Sequence, residues 1–236
     1  MTDKVQRITS VFSSSIGKKL IVAFTGVILT GFVVGHMLGN LQVFLGQDKF
    51  NTYASFLQGL GELLYVVRGM LLLAVILHIY FSIKLALENR EARPIPYAVK
   101  KYREASYASR TMHYSGIIVF AFIVYHILHF TLGKVHPQYY HYIDPKGRHD
   151  VYSMVILSFR NPLISGTYIV SMFLLAWHLS HGFSSLFQTL GLNNARLRPV
   201  LGTLGTLLAW AVFAGYVSIP LAAWTGILKL PPGVLP

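Results

Sequence analysis

The chain has 236 residues, 54% of them hydrophobic and 12% charged, with a formal net charge of +12 and no cysteine. A soluble domain carries about a quarter charged residues, so this composition excludes an ordinary soluble fold and points to a protein that crosses a membrane several times. Lacking cysteine, the chain cannot form disulfides, ligate haem by thiolate, attach a c-type haem covalently or hold a cysteine-bound iron–sulphur cluster.

About 20 apolar residues cross the hydrocarbon core as a helix, and five segments qualify. The N-terminal MTDKVQRITSVFSSSIGKK is basic and polar. The apolar run after it is too long for a cleaved signal peptide and shows no cleavage site. That run is the first span, roughly 20–45. The second is expected at roughly 63–87, the third at 112–133, the fourth at 162–190 and the fifth at 199–228. Pro220 is expected to kink the fifth near its outer end. No soluble domain and no fixed-period repeat are visible. The expectation is one all-α transmembrane domain over 1–236.

Basic residues set the orientation. The N-terminus, the loop after the second span with that span's end, and the link NNARLRP hold thirteen Lys and Arg; the other side holds seven. Positive charge favours the cytoplasm, so the N-terminus is expected inside and the C-terminus outside, in a multi-pass protein. Loop 134–161 is rich in Tyr and His and reads as an interfacial segment at headgroup level. Its His136, His141 and His149 lack the tight spacing of a metal site.

Four histidines sit in apolar surroundings, one on each of the first four spans: His36, His78, His126 and His178. At the rise of a helix, His36 lies roughly 24 Å and His126 roughly 21 Å above the inner boundary, with His78 roughly 15 Å and His178 roughly 18 Å above it. Depth therefore sorts them into an outer pair, His36 with His126, and an inner pair, His78 with His178. Two facing imidazoles at one depth suit axial ligation of a haem iron, and two such pairs would stack two b-type haems across the membrane.

A single intramembrane His is as readily part of a hydrogen-bond network or a proton relay. A relay would want carboxylates in the spans, and only Glu62 and Glu88 lie near them, both at ends. His129 and His181 each follow a candidate by three residues on a similar helix face, and spacing does not separate them from His126 and His178. His113, at the inner edge of the third span, can hydrogen-bond a propionate or a quinone, although an interfacial role is the simpler one. Gly31, Gly35 and Gly39 repeat a GxxxG spacing that suits close helix packing and also a flat guest; Gly116, Gly166 and Gly182 can serve alike. Gly202, Gly205 and Gly215 on the histidine-free fifth span read as packing residues.

The stretches SSSIGKKLIVAFTGVILTGFVVGHMLGNLQVF, SGIIVFAFIVYHILHF and LAWHLSHGFSSLFQTLGL closely resemble the five-helix, di-haem cytochrome b subunit of bacterial succinate dehydrogenases and fumarate reductases. The resemblance runs from about residue 10 to about 228. It implies a bundle of helices one to four around two stacked haems. Gly116 ten residues before His126 and Gly182 four after His178 are the family's marks of the ligand histidines, favouring them over His129 and His181. It also implies pairing of helix one with three and two with four.

Further implied are a bacterial inner-membrane location, a flavoprotein subunit and an iron–sulphur subunit on the cytoplasmic face, and exchange of electrons with a quinone, usually menaquinone. The complex can form a higher oligomer. Some fumarate reductase members carry a glutamate two residues before the fourth-helix ligand; here that residue is Ala176. Gln42, Glu62 and Arg68, near the outer ends of the first two spans, are the candidates for a quinone site. The competing expectations are the cytochrome b anchor of a hydrogenase or formate dehydrogenase, and a haem-free transporter moving protons on histidine.

Overall fold

The computed structural model describes residues 13–92, 95, 107–192 and 194–234. The basic loop after the second span lies mostly outside them. Five helices are long and apolar enough to cross a membrane. They are α1 (Ser15–Leu41), α3 (Glu62–Glu91), α4 (Tyr107–His126), α6 (Pro162–Thr189) and α7 (Leu197–Trp224). Two shorter helices, α2 (Gln47–Gly59) and α5 (Val151–Arg160), stand at one end of the bundle.

Local chemistry fixes the helix ends. The Ser14 hydroxyl accepts from the Gly17 amide and caps α1, satisfying one of the amides a helix start leaves unpaired. Asn161 caps α6, accepting from the Leu163 amide at 2.9 Å, and Pro162 sits at the first helical position, where no amide is needed. The start of α1 and the end of α3 are tied by an ion pair between the buried Lys18 ammonium and the Glu88 carboxylate. Beyond His126, α4 loosens into a π-helical turn, Ile127–Thr131, in which the Leu132 amide reaches the Ile127 carbonyl. The fifth helix runs through Pro220, which is buried within it.

Helix α1 packs along α3, and α4 along α6; α6 also lies along α7, and α1 meets both α6 and α7. Helix α6 is the centre: 39% of its most apolar stretch is buried, against 6% for α3. Small residues set the close approaches, as expected where lipid offers apolar side chains no worse a home than protein does. A Cβ on Gly205 would stand 2.7 Å from the Phe183 ring, and one on Gly39 would meet the Tyr53 hydroxyl. Gly31, Gly35, Gly166 and Gly202 have nothing within 4 Å of that position, so helix packing does not require them to be glycine.

Loop 134–161 is more than an interfacial segment. Its helix α5 is buried from Tyr152 through Phe159, and with Val43, Phe50, Ile164, Tyr168, Ile219 and Ala223 it makes the largest apolar cluster of the described residues. Beneath it, the fully buried Asn51 donates to both Asp150 (2.9 Å) and Asp144 (3.2 Å) and accepts from the Tyr152 amide. Outside, Asp48 accepts from Lys146 at 2.7 Å and from Arg148 at 2.8 Å. Together these contacts lock α2, the loop and α5 into one cap.

Candidate functional site

The histidines form two pairs across the bundle. The rings of His36 on α1 and His126 on α4 face each other with centres 5.9 Å apart and planes at 81°. Those of His78 on α3 and His178 on α6 stand 6.5 Å apart at 63°. Neither α1 with α4 nor α3 with α6 is among the closely packed helix pairs. The imidazoles reach across where the helices themselves stand apart.

Metal chemistry gives these separations a meaning. An imidazole nitrogen sits about 2 Å from a bound transition metal, so two rings on opposite sides of one ion have their centres about 6 Å apart. Both observed separations lie near that value. Among the described residues no group of three or more His, Cys, Asp or Glu is placed to hold a metal ion by itself. Two axial positions are what remain when a macrocycle fills the other four, so an arrangement of pairs suits haem iron better than a bare ion.

The inner pair is held by hydroxyls. Thr25 Oγ1 lies 3.1 Å from His78 Nδ1, and Ser115 Oγ lies 3.2 Å from His178 Nδ1. Gly26 and Gly116, the next residues, lie against these rings: a Cβ on either would be in ordinary van der Waals contact with the Cε1 of His78 (3.5 Å) or of His178 (3.4 Å). The outer pair sits instead in an aromatic cage. Phe32 stacks on His36 at 5.2 Å, Phe122 and Phe130 flank His126, and Tyr216 lies 6.2 Å from His36. The Tyr168 hydroxyl is 3.4 Å from His126 Nδ1.

The rival histidines go elsewhere. His129 is buried, with Nδ1 3.0 Å from the Tyr168 hydroxyl and Nε2 3.1 Å from the Ser158 hydroxyl. Both of its nitrogens are engaged within the protein. His181 lines a cavity of about 730 Å³ between the end of α6 and the start of α7, together with Ser180, Ser184, Gln188, Arg198 and Thr203. His113 is exposed. Of the quinone-site candidates, Glu62 and Arg68 are exposed, with Arg68 over the Tyr65 ring at 5.7 Å, and Gln42 is half-buried at the start of a 3₁₀ turn.

Sequence reasoning missed Thr25, Ser115 and Tyr168. The first two carried a signal, a hydroxyl residue followed by Gly, placed before His36 and before His126 at equal distance. Tyr168 carried none beyond being a tyrosine in an apolar run.

No protein-family model, curated protein or solved structure matches this chain.

Proposed function

We propose that the chain is the membrane anchor and electron-transfer subunit of a bacterial succinate:quinone oxidoreductase, holding two b-type haems, one between His36 and His126 and one between His78 and His178. The observation that carries this is the pair of imidazole couples, on helices that stand apart, at separations suited to one iron each. Haem iron supplies a one-electron couple, and two of them at different depths give electrons a path across the apolar layer. The protein's own part is to present neutral imidazoles, exclude water with the aromatic cage and orient the inner rings by hydroxyl bonds. A flavoprotein and an iron–sulphur protein on the cytoplasmic side would carry the dicarboxylate chemistry, and a quinone, menaquinone by the resemblance, would be the membrane substrate. The enzyme activity belongs to that complex. This chain's share is the quinone reaction and the conduit.

Haem content tests the reading. The complex purified from membranes should show a b-type reduced spectrum and two haems per chain by pyridine haemochrome. Changing His36 or His126 to Ala should abolish one haem, and changing His78 or His178 the other. A chain without haem at full haem supply ends the redox reading and leaves the proton-transport one. A di-haem chain that purifies with a hydrogenase or formate dehydrogenase subunit, in place of a flavin-bearing one, keeps the chemistry and changes the enzyme.

A further inference from the structure

The two halves of the bundle repeat one arrangement. Residues 25–36 read TGVILTGFVVGH and residues 115–126 read SGIIVFAFIVYH. Aligned, they share Gly, Ile, Phe, Val and the terminal His, and they open on Thr and Ser. The structure repeats with the letters. Thr25 on α1 meets His78 on the neighbouring α3, and Ser115 on α4 meets His178 on the neighbouring α6, at 3.1 and 3.2 Å. Phe32 lies against His36, and Phe122 against His126, one turn earlier on the same helix. The spacing from His36 to His126 is shorter than that from His78 to His178, which is why no fixed period shows in the sequence. Within each half a hydroxyl holds a ring; between the halves the rings pair.

The protons can be assigned. A hydroxyl has one hydrogen to give. Thr25 gives its hydrogen to the Ile21 carbonyl at 2.7 Å, and Ser115 gives its own to the Met112 carbonyl at 3.0 Å. With the hydroxyl hydrogens on these carbonyls, the hydroxyl oxygens accept from the histidines and each Nδ1 carries the hydrogen. In this tautomer the free lone pair is on Nε2.

We infer that Thr25 and Ser115 are matched positioning residues, each fixing the tautomer and rotation of the inner-pair histidine beside it so that His78 and His178 present Nε2 to one metal. This rests on the haem reading above and deepens it. A hydrogen bond accepted from Nδ1–H makes the ligating nitrogen more basic and favours the higher oxidation state of the metal. Removing the acceptor should therefore raise the potential of the inner haem and leave the outer one, caged by aromatic rings, where it was.

The test is a redox titration with low-temperature EPR on the intact purified complex, for T25V, S115A, T25S and S115T. The expected result is that T25V and S115A each move the potential and EPR signal of the same haem, the one lost on changing His78 or His178, while T25S and S115T keep the wild-type values. Unmoved values in T25V and S115A overturn the inference, as does a shift of the His36–His126 haem. Should T25V lose the haem altogether, retention at wild-type potential in T25S supports the hydroxyl's role, and loss in T25S as well overturns it. The two readings fail separately. Absence of haem from the wild-type protein sinks the function, whereas a di-haem wild type whose hydroxyl variants are silent sinks only this inference.

Discussion

A histidine inside an apolar helix has two nitrogens to account for, and their partners distinguish His126 from His129 where spacing could not. His129 has both nitrogens bound, to Tyr168 and Ser158, and has no lone pair to offer a metal in the folded chain. His126, three residues earlier, has only the long contact from Nδ1 to the Tyr168 hydroxyl and faces His36. The π-helical turn that begins directly after His126 changes the direction of His129 relative to it, and such turns recur at functional sites. Replacing His129 by Ala should thus leave both haems in place. It should cost about 1–3 kcal/mol of stability through the orphaned Tyr168 and Ser158 hydroxyls, read as a lowered midpoint in thermal unfolding followed by circular dichroism. Loss of one haem in H129A, with both kept in H126A, would transfer the ligand role to His129. The family resemblance favours His126 on the spacing to Gly116; what each nitrogen touches in the structure is compatible with that proposal.

At the scale of elements, what the sequence disclosed was what depends on one dimension. A helix that crosses a bilayer must be long and apolar, and all five helices of that kind lie where composition placed them, with ends shifted by a few residues. Helices α2 and α5 escaped because each is short, and α2 is polar enough to pass for a loop. The burial of α5 comes from packing against the ends of α6 and α7, which no local pattern records. Its cap is fixed by charge. Burial would raise the Asp144 carboxyl, but the hydrogen bonds from Arg148, the Asn51 amide and the Lys146 backbone outweigh it and hold the group down to about 2. Asp48 is also held below the usual carboxylate range by the hydrogen bonds from Lys146 and Arg148. A carboxyl depressed on folding contributes stability that is complete above its unfolded value, about 3.9, and is lost as pH falls toward the folded one. The cap should loosen between about pH 4 and pH 2. Proteolysis of the 134–150 loop, or hydrogen exchange at Tyr152 and Ser153, should accelerate across that window in wild type. In D144N the acceleration should be smaller, because part of the loss is already present at neutral pH; an equal pH response in D144N would remove Asp144 from the account.

For the molecule as a whole, orientation decides which pair serves which partner. Thirteen of the twenty Lys and Arg lie on the side of the N-terminus and of the link between α6 and α7. We propose from the positive-inside bias that this side faces the cytoplasm. His78 and His178 are the pair nearer it, so electrons from a cytoplasmic partner would meet the hydroxyl-held pair first and the aromatic-caged pair second. The absence of cysteine from the sequence makes this simple to test, since any cysteine introduced is unique. Leu192, just beyond α6, and Lys229, just beyond α7, are exposed at opposite ends of the bundle. A membrane-impermeant thiol reagent added to intact cells should label K229C and leave L192C untouched until the membrane is permeabilised. The reverse pattern would place the inner pair on the outside. A cytoplasmic iron–sulphur partner would then face His36 and His126, and the order in which the two haems are reduced would invert with it.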